Sequence, residues 1–148
     1  MCGPRFPSLH PYDSAIAHTA AHPPPGRESE LSTIRRLHPN VLLIGDRDSN
    51  ERALSELLPS CRTPVRERNP EFEMAPGLEG TYVLRRIELL TRHRQRTLHE
   101  WFNRICGRIQ VVSLASPRLL QLVSTGAFHE ALFYRLNIVM LMTTEDNR

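Results

Sequence analysis

The sequence predicts an α/β domain of three layers, in which helices cover both faces of a mostly parallel sheet. Short apolar runs that suit buried strands alternate along the chain with segments of helical periodicity. The 148 residues amount to about one domain, and 40% of them are hydrophobic, which is enough for a core. Strands that alternate with helices indicate a parallel sheet, here of about four strands, that is buried on both faces.

The first segment of the chain differs in composition from the rest. Residues 1–28 hold six of the 12 prolines, and such a composition favours extended backbone and does not bury a core. We therefore expect a disordered tail over residues 1–28 and one globular domain over residues 29–148. That domain is predicted to begin with a short helix over residues 31–37, capped by Ser29.

A strand, a turn and a helix follow. Val41–Ile44 is a continuous apolar run typical of a buried parallel strand, and Gly45 ends it. Asp48 stands three residues before Glu51, which is the spacing of a capping box, and the helix is predicted to stop at Pro59. Residues 60–79 carry prolines and charges in no regular pattern, so an irregular connection is expected there.

The second half of the chain repeats the alternation. Helical spacing of apolar residues, a serine and proline pair that suits a helix start, and two further apolar runs define its elements. The predicted elements are a strand over Thr81–Leu84, a helix from Arg92 to Gly107, a strand over Ile109–Leu114, a helix after Ser116 with Leu119, Leu120, Leu122 and Val123 facing inward, a helix over Phe128–Leu136 and a strand over Ile138–Met142.

Composition excludes several kinds of chemistry. All 19 basic residues are arginine, so a Schiff base, a lysine general base and a phosphate-binding lysine are excluded. Three cysteines without a CxxC spacing suggest neither a disulfide framework nor a zinc site, and no metal is expected. No apolar stretch approaches the roughly 20 residues that span a bilayer, so we expect a cytoplasmic protein without a membrane partner. The net charge of +3 leaves a nucleic-acid partner open.

The order of the segments carries a resemblance to a known family. GAFHEALFYRLNIVML is similar to the GxFRxDLYYRLNVVxL signature of the AAA+ domain of sigma-54-dependent transcription activators. VLLIGDRDSNER resembles that family's VLIxGESGTGKE, FEMAPGLEGTYVLRRIELL resembles FExAxGGTLFLDEIGEL, and VVSLASPRLLQLV resembles IIAATNRDLEELV. The resemblance spans residues 40–142 in the family's order. It implies a trimmed AAA+ P-loop subdomain and a role in bacterial transcription regulation.

The same alignment implies that the nucleotide chemistry has been lost. The family holds ATP and Mg²⁺ with a glycine-rich turn, a lysine, an Asp-Glu pair and a Thr-Asn sensor. Here the turn begins at Gly45 and Asp46, Glu51 takes the lysine position, Arg85 and Arg86 take the Asp-Glu positions, and Ser116 takes the asparagine position. A carboxylate repels a triphosphate, and guanidinium groups do not ligate a cation. The resemblance therefore predicts a pseudo-ATPase with no cofactor.

The partners implied by the resemblance are proteins of the same family. The GAFTGA loop that touches sigma factor has no counterpart between Glu51 and Gly80, and the sequence stops before the family's helical lid. Of the signature's two arginines, His129 replaces the first and Arg135 keeps the second. Because the family forms rings, Arg135 is a candidate for contact with a neighbouring subunit; the alternative is a surface arginine that pairs with Glu130 or a helix-end carbonyl. We expect the chain to modulate an intact activator through ring-type contacts.

Two other functions fit the sequence. An arginine-rich cluster around the second strand and its helix suits a nucleic-acid or protein interaction module, with Trp101 or His93 stacking on bases. Trp101 also fits the apolar face of that helix, which places it in the core. The last alternative is a non-functional gene remnant. The cluster consists of Arg85, Arg86, Arg92, Arg94, Arg96, Arg104 and Arg108.

Overall fold

The computed structural model describes residues 27–69, 79–105 and 108–143. The predicted tail lies outside these residues except for its last two positions, as does Gly107, at which a helix was predicted to end. Twelve elements occur in the described ranges, two of them short 3₁₀ helices at Leu58–Ser60 and Ile87–Leu89. The others are α1 (Arg27–Leu37), β1 (Val41–Ile44), α2 (Arg47–Leu57), β2 (Val65–Arg68), β3 (Gly80–Leu84), α3 (Arg92–Arg104), β4 (Ile109–Ala115), α4 (Arg118–Thr125), α5 (Glu130–Leu136) and β5 (Val139–Met142).

The strands form one parallel sheet in the order β2-β3-β4-β1-β5. The chain starts near one edge at β1, crosses to β2 at the other edge, returns through β3 and β4, and finally places β5 outside β1. All the carboxyl ends of the strands therefore lie along the same side of the sheet. The three-layer α/β prediction is confirmed, with five strands in place of about four.

Apolar residues alternate between the two faces of the sheet, and each face has its own core. On one face, α1 and α2 cover residues such as Val41 and Leu43 of β1. On the other face, α3, α4 and α5 cover Leu42 and Ile44 of the same strand, together with Trp101. All four residues of β1 are completely buried, as expected for a strand that is covered on both sides.

Strand β2 corrects the prediction of an irregular connection over residues 60–79. Its sequence VRER offers no apolar run, and its residues are exposed or half-buried. It forms because the edge of β3 supplies backbone partners, with Val65 in register with Thr81. Gly80 begins β3 with a φ of 122°, and a Cβ atom there would collide with the carbonyl oxygen of Pro64, so this close approach of the two strands requires glycine.

Three smaller predictions about helix ends and faces were wrong. Helix α1 begins at Arg27, so Ser29 lies inside it and not at its cap. Helix α2 begins at Arg47 and is capped by Asp46, so Asp48 lies in its first turn. On α4, Leu119 is buried, whereas Leu120 is 36% exposed and does not face inward. Among the helices of the described ranges, none combines the length and apolar character that a membrane span requires.

Candidate functional site

A pocket of about 560 Å³ opens at the carboxyl ends of the strands. In open parallel sheets this is where ligands bind, because the loops that leave neighbouring strands diverge there. The six positions that the sequence aligned with a nucleotide site all line this pocket. They are Gly45, Asp46, Glu51, Arg85, Arg86 and Ser116, and residues from β2 and its end complete the wall.

The turn between β1 and α2 is short, and its helix begins early. Asp46 has an extended backbone, with φ −73° and ψ 167°. Its carboxylate accepts hydrogen bonds from the backbone N–H of Ser49 at 2.8 Å and from the Ser49 hydroxyl at 2.9 Å. The backbone is therefore helical from Arg47 onward. One backbone N–H group in the first turn of α2 already has a carboxylate of the chain itself as its hydrogen-bond acceptor.

Arg85 lies between two carboxylates in the wall of the pocket. Its Nε and Nη2 atoms donate to the two oxygens of Glu51 at 2.7 and 3.1 Å, and its Nη1 atom donates to Glu67. The hydrogen bonds from Arg85 lower the pKa of Glu51, and those to Glu51 raise the pKa of Arg85. This cluster joins α2, β3 and β2, and the single positive charge of Arg85 compensates part of the negative charge of the two carboxylates.

The neighbouring residues complete the charge pattern of the pocket. Arg86 has a φ of 53°, a left-handed conformation that is uncommon for residues other than glycine. Its side chain is exposed and lines the pocket together with Glu88. The Oε1 atom of Glu88 is buried and receives no hydrogen bond within the described ranges. On the opposite side, the Ser116 hydroxyl accepts from the N–H of Arg118 at 3.3 Å and so serves the start of α4.

Asn50 is a further residue of the pocket, which the sequence did not single out. It is 4% exposed. Its Nδ2 atom donates to the carbonyl oxygens of Gly45 and Ala115 at 3.2 and 3.1 Å, and its Oδ1 atom accepts from the hydroxyl of Thr143 at 2.6 Å. The side chain thus ties together the ends of β1, β4 and β5. The sequence feature that pointed to Asn50 is its position five residues after Gly45, where the aligned family motif has its last glycine.

Arg135 does not line the pocket. Its Nη1 atom donates to Oδ1 of Asn103 at 2.8 Å and its Nη2 atom to the carbonyl oxygen of Phe102 at 2.9 Å. Burial lowers its pKa. Of the two interpretations of this residue, the helix-end carbonyl contact describes its surroundings in the structure, because Phe102 lies in the last turn of α3.

His129 also faces α3, the same helix that holds Arg135. Its ring centroid lies 5.1 Å from that of His99, and its Nδ1 atom accepts from the N–H of Leu132 at 3.3 Å. The buried Gln95 accepts from the backbone N–H of His129 at 2.8 Å. Burial, followed by the charges of His129 and Arg135, lowers the pKa of His99. Both positions of the closing signature are therefore held by contacts within the chain.

The arginine-rich cluster is divided between the two ends of the sheet. Arg85 follows the carboxyl end of β3 and faces the pocket, whereas Arg108 precedes the amino end of β4 and pairs with Glu79 at 3.1 Å. Trp101 is completely buried, as the core interpretation predicted, so it is not available to stack on a base. Within the described ranges, no group of three or more His, Cys, Asp and Glu side chains is arranged to hold a metal ion.

Comparison with known proteins identifies the domain. The family model described as the Sigma-54 interaction domain matches residues 27–145. The chain belongs to this family. The predicted relationship to the AAA+ domain of sigma-54-dependent activators is thereby confirmed.

Solved structures show the same fold. Crystal structures of NtrX from Brucella abortus in complex with ATP and with ADP match the chain with TM-scores of 0.60 and 0.58, each at 15% sequence identity. A further structure of NtrX matches with a TM-score of 0.55 at 16% identity. The ATP complex covers 90% of this chain, which itself spans only 39% of the NtrX chain. Comparison with curated protein sequences gives no significant match.

Proposed function

We propose that this Sigma-54 interaction domain serves in transcription regulation without binding or hydrolysing ATP. The observation that carries the proposal is the bidentate ion pair between Arg85 and Glu51, at 2.7 and 3.1 Å, inside the pocket lined by the positions that the resemblance aligns with the family's nucleotide motifs. The proposal concerns the domain of residues 29–148, and a role in transcription regulation implies a cytoplasmic location.

The residues of the pocket do not fit a triphosphate with Mg²⁺. A phosphate-binding loop leaves several backbone N–H groups free to surround the anion. Here the Asp46 carboxylate already accepts from Ser49, and the backbone is helical from Arg47 onward. Glu51 adds negative charge at the position of the family's lysine. Arg85 and Arg86 align with the residues that hold Mg²⁺ in the family, and their guanidinium groups offer hydrogen-bond donors only.

Titration calorimetry with ATP and Mg²⁺ tests this proposal. NtrX from Brucella abortus, whose structure contains ATP, serves as the positive control under the same conditions. We expect heat of binding from NtrX and none from this chain. A dissociation constant below about 100 µM for ATP, or ATP-dependent release of phosphate, would contradict the proposal.

A domain without ATP chemistry acts through its contacts, and we propose that its partner is an intact sigma-54-dependent activator. The family fold is retained, which supports docking on surfaces that activator subunits use among themselves. Arg135 contributes to such a contact only if it leaves the Phe102 carbonyl and Asn103 of its own chain. Contact through this residue therefore competes with two hydrogen bonds within the chain.

Co-purification with an intact activator tests the partner. We expect the tagged activator to retain this chain, and the Arg135→Ala variant to be retained several-fold less. Arg118→Ala is the matched control, because it removes an exposed arginine at the start of a different helix, α4. Absence of retention, or equal loss from both variants, would contradict ring-type contacts; circular dichroism establishes that each variant is folded.

A further inference from the structure

The two edges of the sheet differ sharply in charge. At one edge, β2 has the sequence VRER, in which three of the four residues are charged. At the other edge, β5 has the sequence VMLM, and its neighbours Ile138 and Thr143 are also uncharged. Charged side chains on an edge strand are a common means of preventing another strand from pairing with it. Strand β2 has this protection and β5 does not.

The backbone of β5 is paired on one side only. The N–H groups of Val139 and Thr143 donate to Asn40 and Ile44 beside β1, at 3.1 and 2.8 Å. Because alternate residues of a parallel strand face a given neighbour, Met140 and Met142 direct their N–H and C=O groups away from β1. Within the described ranges, β5 is the last strand on this side, so these groups face outward.

The side chains along this edge are also apolar and accessible. Ile138, Met140 and Met142 are 57%, 39% and 50% exposed, whereas Leu141 points to the other face and is 6% exposed. Three accessible apolar side chains in alternate positions form a continuous strip on the face that carries α3–α5. Methionine adapts its shape easily to a partner surface.

We propose that β5 pairs with β5 of a second copy of this chain, in antiparallel orientation about a two-fold axis at Leu141. In this register Met140 of one copy lies opposite Met142 of the other. The two residues of each pair hydrogen-bond to one another through their outward-facing N–H and C=O groups. The second copy fits because a two-fold axis brings together identical strands that are both uncharged, so no like charges meet. The result is one continuous sheet across two domains.

The predicted association is weak. Four residues at a sheet edge bury much less than the roughly 1,600 Å² of a standard interface. Sedimentation velocity of the full chain, from about 10 µM to about 1 mM, is expected to show a rise from the monomer mass of 17.0 kDa toward twice that value. A constant monomer mass over this range would overturn the proposal, whether the edge is free or covered by another part of the chain.

Two double variants test the strand and its register. In Met140→Lys/Met142→Lys, every substituted position faces a lysine of the second copy, and we expect the dissociation constant to rise at least about tenfold. In Met140→Lys/Met142→Glu, each lysine faces a glutamate, and dimerisation is retained. Equal dissociation constants for the two variants would overturn the register. Val65→Lys on β2 is the control for added charge at the other edge. Trp101 fluorescence establishes that each variant keeps its core.

Discussion

At the scale of single residues, Glu51 and Arg85 determine the character of the pocket. The alignment predicted a reversed charge at each position separately. The structure adds that the two residues are partners, and that Glu67 joins them from β2. Sequence alone did not predict this pairing, because 34 residues separate Glu51 from Arg85 and only the order of the strands brings them together.

The stability of this pair is expected to depend on pH. Since Arg85 lowers the pKa of Glu51 in the folded protein, the pair stabilises the fold at pH values above the unfolded pKa of about 4.3, and this stabilisation is lost as the pH falls through the folded pKa. Both side chains are more than one-third exposed, at 35% and 43%. The expected contribution at pH 7 is therefore only about 0.5 to 1 kcal/mol.

Urea unfolding of Glu51→Gln at pH 7 and at about pH 3 measures this contribution. We expect the variant to be less stable than the parent at pH 7 and equal to it at the lower pH. Glu100→Gln, on the exposed side of α3, is the matched control and is expected to show little difference at either pH. A deficit in Glu51→Gln that persists unchanged at low pH would contradict the electrostatic origin.

At the scale of elements, the start of α2 bears on the proposed loss of ATP binding. Two aspartates compete for the cap. The spacing of Asp48 to Glu51 favoured the second, but the first follows β1 directly after Gly45 and already has the extended backbone of a cap. Sequence patterns did not settle this choice, because both aspartates satisfy the same local rule.

Alanine substitutions separate the two candidate caps. Asp46→Ala removes the acceptor of the Ser49 N–H and is expected to lower the free energy of unfolding by about 1 kcal/mol. Asp48→Ala removes only a favourable charge in the first turn, worth less than about 0.5 kcal/mol. Chemical denaturation of both variants measures the difference. Equal losses, or the reverse order, would show that the helix begins later than described.

Burial of the strands explains which elements the sequence predicted. Strands β1, β3 and β4 are covered on both faces, so their apolar runs are visible in the sequence. Strand β2 has one exposed edge and charged side chains, and its formation depends on β3 rather than on any pattern of its own. Asn50 was missed for a related reason: an asparagine in the first turns of a helix is usually exposed, and the burial of this one arises only where three strands end together.

At the scale of the whole molecule, the sheet separates two cores that share its strands. The chain's one tryptophan, Trp101, lies in the core with α3–α5, and Cys61 lies in the core with α1 and α2. Burial raises the pKa of the Cys61 thiol to about 11. The thiol is therefore protonated and shielded near neutral pH, and reacts with alkylating agents only when its core opens.

These two residues report whether the layers unfold together. In a Cys2→Ser/Cys106→Ser background, we expect Trp101 fluorescence and Cys61 alkylation to change at the same urea concentration, because β1, β3 and β4 each contribute residues to both cores. The measurement follows both probes in one titration at pH 8. Alkylation of Cys61 well before the fluorescence change would show that the α1–α2 layer opens independently.

The pairing of Glu51 with Arg85 also restricts how the sequence can change. Glu51→Lys alone would set a lysine against the Arg85 guanidinium. Arg85→Asp alone would gather three carboxylates at one point, with Glu51 and Glu67. Each single step toward the family's pattern thus places like charges together, and only the two changes made at once avoid it. A change at either position therefore favours a compensating change at the other.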